Sequence, residues 1–241
     1  MRARAEIAAE VVAGRNTLTV LRSEPPLSVR PTPGGVHLVA SAAGPIGGDD
    51  LELAAHVGPG ARLTVRSVAA TLALPGPDGA PARVATELTV DDDGSLRWEP
   101  EPLVVVAGCD LRTTTRITLG DDAVLVWREE LVWGRHHEPG GSALTRLVVD
   151  RSGRPLHRGD IALGPVWPGS NGPAGTGGAR AIGVLLVVGA TVGAVAGDGE
   201  ARVAAMVLGA AATLVLALGD RPGAVRSVLD RAAPELADLR G

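Results

Sequence analysis

The chain has 241 residues with 45% hydrophobic and 21% charged side chains, values of a folded globular protein long enough to bury a sizeable core. Its net charge of −4 provides no basic footprint for nucleic acid. A single cysteine, Cys109, excludes an intramolecular disulfide and a cysteine-based zinc site. Lysine, Phe and Tyr are absent while Ala, Gly, Val and Arg dominate. Codon bias in a GC-rich genome accounts for that pattern, so the missing aromatics carry little argument.

The N-terminal MRARAEIAAEVV has charges but no long apolar stretch and no cleavage signal. No signal peptide is read there, and a cytoplasmic protein is expected. From Ala5 to Ala162 short extended segments alternate with turn chemistry. Asp78-Gly79, Asp93-Gly94, Gly120-Asp121-Asp122 and Ser152-Gly153 are turn or hairpin signals. Between them TELTV, TTTRITL, AVLVWREELVW and ALTRLVV have β-type residues at strand length. Turns recurring about every 8–12 residues fit an all-β sandwich or a β-helix. No fixed sequence repeat supports a regular solenoid.

Asp49 and Asp50 follow Gly47-Gly48 and open a strand, where a turn aspartate is the plain reading. LRWEPEP places Trp98 before Pro100 and Pro102. Prolines so dense predict an edge or an unpaired extended segment. In VLVWREELVW, strand alternation puts Glu129 on the side of Leu125, Trp127 and Leu131, the side expected to be buried. A buried carboxylate needs a partner or a metal, and Arg135 is one candidate partner. His136, His137 and Glu138 follow. Adjacent histidines on a strand point apart, and Pro139-Gly140-Gly141 suggests a mobile, solvated tip with at most weak metal contact. His37, His56 and His157 stand alone and read as structural or exposed.

GPVWPGSNGPAGTGGAR, residues 164–180, reads as a long loop within one domain spanning 1–241. GPAGTGG lacks the Lys-Ser/Thr of a phosphate loop; Gly-x-Ser-x-Gly and His-Glu-x-x-His are also absent. The apolar runs Ala181–Gly197 and Val203–Leu218 raise a membrane hairpin. Each falls short of the roughly 20 residues that a spanning helix needs. The first, rich in Val and Ile, reads better as a buried strand. A C-terminal helix is expected over about 221–239. Asp220 would cap it, and Pro222 would sit in the first turn. Val225, Val228, Leu229 and Ala232 form its apolar stripe. Pro234 interrupts it, and Leu236 and Leu239 belong to a last short turn.

The motifs taken in order are informative. GPIGGDDLEL (Gly44–Leu53), the Gly-Ala-Arg-Leu-Thr segment at Gly60–Thr64, LRWEPEPLVV (Leu96–Val105), WREELVWGR (Trp127–Arg135) and the ending ALGD…AVRSVLDRAAPELADLR resemble the UreD/UreH family of urease accessory proteins over nearly the whole chain. The resemblance implies a mainly β fold, a β-helix-like two-sheet sandwich with one or two short C-terminal helices. It implies a scaffold and not an enzyme. Such a scaffold binds apo-urease and a UreF-type accessory protein, meets a nickel-carrying UreG-type GTPase indirectly, and helps convey nickel. Nickel would be cargo in transit and no permanent cofactor. Glu129 matches the family's acidic position after the tryptophan and is a candidate channel carboxylate. Gly48 and Asp49 match its Gly-Asp, Trp98 and Pro100 its Trp-x-Pro, and Gly134 and Arg135 its Gly-Arg. For metal passage the candidates are Glu129 and Asp49, then His136 and His137. The chain departs from the family pattern at HHEPGG, where Glu138 is out of register, and at TVRSVAATL, where Leu72 occupies a usually basic position. Two other readings remain at this level: a membrane-associated β protein anchored by residues 181–218, and a metal-dependent hydrolase built on His136, His137 and Glu138.

Overall fold

The structure is a computed structural model that describes residues 1–197, 199–209 and 211–234. In chain order the strands are β1 (Arg2–Val12), β2 (Arg15–Arg22), β3 (Leu27–Thr32), β4 (Gly35–Ala40), β5 (Asp50–Val57), β6 (Arg62–Ser67), β7 (Thr71–Ala73), β8 (Ala82–Val90) and β9 (Ser95–Glu99). There follow β10 (Leu103–Val105), β11 (Asp110–Leu119), β12 (Val124–Trp133), β13 (Ser142–Arg151), β14 (Arg154–Leu163), β15 (Ala181–Val188), β16 (Ala201–Val207) and β17 (Ala212–Gly219). One helix, α1 (Pro222–Ala232), closes the described chain.

Two sheets result. The first has seven strands in the order β14-β13-β11-β8-β5-β1-β2. The second has ten, along β16-β17-β15-β12-β9-β6-β4-β3, with β10 against β12 and β7 against β10. From β5 to β13 the chain moves back and forth between the sheets, and each strand pairs in parallel with the strand one coil earlier. This is solenoid stacking. Antiparallel partners flank it: β2 and β14 in the first sheet, β3 and β15–β17 in the second.

The turn signals acquire two meanings. Ser152-Gly153, with φ of +51° and +70°, joins β13 to β14 as a hairpin, as the primed turns require. Asp93-Gly94 and Gly120-Asp121-Asp122 instead carry the chain from one sheet to the other. Each coil spans on the order of thirty residues, within the range of solenoid repeats. The repeat exists in register and leaves no trace in residue identity, because a coil needs only alternating apolar positions and a corner.

Apolar residues fill the space between the sheets, among them Ile7, Val57, Leu63, Leu88, Leu96, Ile117, Leu125 and Leu186. A second core lies on the other face of the second sheet, where α1 packs Val225, Val228, Leu229 and Ala232 against Val126, Leu185, Val187 and Val215. Every residue of β15 is therefore buried. Burial on both faces accounts for the uncharged run that begins at Ala181, and no described helix is long and apolar enough to cross a membrane. The helix corrects one expectation. Arg221, and not Asp220, holds the N-cap position, with no side-chain cap, while Pro222 opens the first turn. Packing, and not capping, holds this helix. It ends at Ala232, and Ala233 is extended, as a residue before proline prefers. The expected turn at Leu236 and Leu239 lies outside the described residues.

The helix sits close because Gly183 on β15 has no side chain. A Cβ there would come within 2.6 Å of both Leu229 Cδ1 and Val225 Cγ1. Gly183→Val is expected to lower unfolding stability by about 1–3 kcal/mol through overpacking, measured by urea denaturation; an unchanged midpoint would contradict the tight helix-on-sheet contact.

Candidate functional site

The site begins with a break in a ladder. β12 runs for ten residues. Its Val124–Trp127 pair with Ser95–Trp98 of β9, and its Leu131–Trp133 pair with Leu103–Val105 of β10. Arg128, Glu129 and Glu130 face the segment Glu99–Pro102 without a ladder partner on that side. Pro100 and Pro102 lack the N–H that a parallel ladder needs. Glu101, between them, gives its N–H to the Ser67 hydroxyl at 2.8 Å. The dense prolines thus leave the segment unpaired on its β12 side and open a gap inside the second sheet, while Glu99 keeps its register with Arg66 of β6 and the Pro102 carbonyl accepts from the Thr71 N–H at 2.9 Å.

A cavity of about 260 Å³ reaches this gap from between the sheets. Leu51, Val84, Thr113 and Thr115 line it from the first sheet, and Trp98, Trp127 and Glu129 from the second. Pro100, Glu101, Arg128 and Glu130 border it at the gap, and exposed Val68, Ala69 and Ala70 border it where it meets the surface. The first-sheet side is built from short residues, and the chain has no Phe or Tyr to fill the space.

Glu129 is the carboxyl group on the inner side. It keeps partial accessible surface because it faces the cavity, but protein surrounds it. Burial pushes its pKa up to about 7, against a smaller opposing effect from a hydrogen bond with Thr145. No cation pairs with it among the described residues. Arg135, the partner that the sequence suggests, instead binds Glu138 through Nε and Nη2 at 2.8 Å each. Beside Glu129's partner Thr145, in register on β11, Thr113 has a buried hydroxyl with no hydrogen-bond partner.

The opposite side of β12 is also buried, which alternation alone does not reveal. Arg128 and Glu130 are 8% and 3% exposed. Arg128 Nη1 meets Asp230 at 2.6 Å, and Arg226 of α1 meets Glu101 at 2.8 Å and Glu130 at 3.2 Å. Burial raises the Glu130 pKa, and Arg128 and Arg226 pull it back down. Next to them Arg97 binds Glu99 at 2.7 Å and the Pro234 carbonyl. Helix α1 therefore covers the outside of the gap with a guanidinium. The helix register of Arg226, one residue after the apolar Val225, is the signal that could have pointed to this lid.

The remaining candidates lie elsewhere. Trp98 and Pro100 line the cavity. Asp49 is 5% exposed. Its carboxylate accepts hydrogen bonds from the Met1 amine at 2.6 Å and from the Ile46 N–H at 2.8 Å. It closes the turn in which Gly48 has φ +91°, and it does not border the cavity. Gly134 is buried with φ +83°, and Arg135, His136 and His137 are exposed. His37 bonds Thr32, and His56 pairs with Asp91. Among the described residues no group of three or more His, Cys, Asp or Glu side chains could hold a metal, and Glu138, which the hydrolase reading needs beside the histidines, is held by Arg135.

The fold is a two-sheet parallel solenoid with an internal cavity that Glu129 faces. A sequence profile described as UreD urease accessory protein matches residues 1–240. The chain is 45% identical over 181 residues to a urease accessory protein UreD of Streptomyces coelicolor, covering 73% of this chain and 71% of that one. It is 46% identical over 169 residues to its counterpart in Frankia alni, covering 64% and 57%. A UreD protein of Streptomyces griseus is 40% identical over 203 residues, covering 80% and 79%. The chain belongs to the UreD family of urease accessory proteins.

Glu129 makes stability depend on pH in a defined direction. The folded protein keeps this proton up to about pH 7, whereas the ordinary carboxyl loses it near 4.5. Unfolding between those values releases a proton, so stability falls as pH rises through the window, by at most on the order of 3 kcal/mol. Glu129→Gln is expected to match the parent protein near pH 5 and to exceed its melting temperature near pH 8; parallel melting curves across that range would show that the carboxylate is paired or solvated.

Proposed function

We propose that this protein is a maturation scaffold that binds apo-urease and a UreF-type accessory protein, meets the nickel-carrying UreG-type GTPase through the latter, and passes nickel toward the urease active site through its cavity. It turns over no substrate in this reading, works in the cytoplasm, and has neither nucleic acid nor a membrane as partner. Membership of a urease accessory family supports the role in urease maturation. The observation that carries the conduit is Glu129, a buried carboxylate that faces a cavity and has no cationic partner among the described residues.

The chemistry favours transit over storage. A divalent ion entering an apolar cavity loses hydration and needs oxygen or nitrogen ligands. Glu129 supplies one anionic ligand, and the free Thr113 hydroxyl supplies a neutral one nearby. One carboxylate neutralises half of the ion's charge, so binding is weak enough to reverse. At the surface end, Val68 is exposed by 61% beside the exposed Ala69 and Ala70. An apolar rim of this kind suits a partner that seals the opening from bulk water. At the gap, Arg226 stands over Glu101 and Glu130, where a cation would have to displace it or pass beside it. Asp49, with its oxygens already engaged, would serve by fixing the turn next to Gly44 of the cavity wall.

The reading is tested by co-expressing the tagged protein with the urease subunits and the other accessory proteins. Glu129→Ala is expected to recover urease and the UreF-type partner in the same complex as the parent protein, while urease matured with it contains less nickel. Equal nickel content in the two ureases would sink the role of Glu129, and a soluble protein that captures neither partner would sink the scaffold.

A further inference from the structure

We propose that His136 and His137 form a surface site for one divalent late-transition-metal ion, separate from the cavity. Residues 135–138 form a tight turn in which the Glu138 N–H donates to the Arg135 carbonyl at 3.0 Å. The histidines occupy its two central positions. On an extended strand their side chains would point apart. Here His137 has φ +58°, a conformation uncommon for a bulky residue and unfavourable by about 1 kcal/mol or more. That twist brings the two rings together, with centroids 3.7 Å apart.

The surroundings hold the turn in this form. The Arg180 guanidinium donates to the carbonyls of Trp133 at 3.1 Å, Arg135 at 2.9 Å and Glu138 at 2.6 Å. Arg135 clamps Glu138 from its backbone N–H as well as its side chain. Gly134 leaves no room for a side chain, since a Cβ would lie 2.5 Å from the Glu138 carbonyl. The Trp133 indole donates to the Gly141 carbonyl at 2.8 Å on the far side. Hydrogen bonds from Arg180, Arg135 and Trp133 thus hold a turn that presents two exposed imidazoles.

Two imidazoles can share an ion when one nitrogen of each lies about 2 Å from it; the rings, tilted by 52°, would part slightly from their contact to aim one nitrogen each at a shared ion. Imidazole suits Ni²⁺, Cu²⁺ and Zn²⁺. Arg135 already engages both oxygens of Glu138, through its backbone N–H and Nε on one and Nη2 on the other, so the carboxylate is not a third ligand. Water completes the coordination. The site is open, its neighbours Arg135 and Arg180 are cationic, and ions exchange from it readily.

This inference stands on the turn geometry and not on the conduit. The test uses the full chain without a histidine tag, titrated with NiCl₂ by calorimetry beside His136→Ala/His137→Asn and Glu129→Gln. Asn accepts the left-handed backbone of position 137, so the double variant keeps the turn. The expected result is loss of one bound equivalent, or about tenfold weaker uptake, in the double variant alone. With Cu²⁺, electron paramagnetic resonance is expected to show two imidazole nitrogens on the bound ion. Unchanged uptake in the double variant, a single-nitrogen signal, or no saturable uptake by the parent protein overturns the proposal. Loss of the surface equivalent with normal urease nickel content leaves the conduit intact, and the converse result leaves this site intact.

Discussion

A parallel ladder cannot be continued through two prolines spaced two residues apart, and the site is organised around that interruption. β12 is long enough to pair with both β9 and β10, but the segment Glu99–Pro102 between those strands offers it no register. The sheet stays whole at this level only because β15 pairs with β12 from the other side. The gap that remains is where the interior cavity approaches the outer face, and the consecutive Arg128, Glu129 and Glu130 line its edge.

Alternation along β12 then divides the charges. Glu129 points between the sheets, where Thr145 is its polar partner and burial favours the protonated acid. Arg128 and Glu130 point outward, where Asp230, Arg226 and Glu101 complete a network of opposite charges. A buried ion pair with satisfied partners can be tolerated, whereas a lone buried carboxylate is unfavourable. The fold accepts the second arrangement at Glu129. Gly183 has an indirect part, since it lets α1 approach closely enough for Arg226 to reach the gap.

Much of this was legible in the sequence. Strand content, the turns, the buried run at residues 181–188, the apolar stripe of α1 and the burial of Glu129 all follow from periodicity and turn chemistry. Turn spacing fitted a sandwich or a β-helix, and the family resemblance implied the β-helix-like form that is found; no sequence repeat marked it, because its coils repeat in register and not in residue type. The outward burial of Arg128 and Glu130 was also hidden, since their charge reads as exposure until α1 is seen to cover them. The partner of Glu129 could not be chosen from sequence. Arg135 lies six residues on, beyond the end of the strand, where the turn delivers it to Glu138 instead. The same turn conceals the His136–His137 contact, which depends on one positive φ that strand alternation does not anticipate.

We propose that the cavity beside the proline gap receives a divalent cation at Glu129. The most direct test is diffraction at the nickel absorption edge from crystals of the protein equilibrated with nickel near pH 8, where the carboxylate is ionised. An anomalous peak is expected inside the cavity at bonding distance from the Glu129 carboxylate, absent from crystals of Glu129→Gln. A cavity free of anomalous density in the parent protein, or a peak that persists unchanged in the variant, would contradict it.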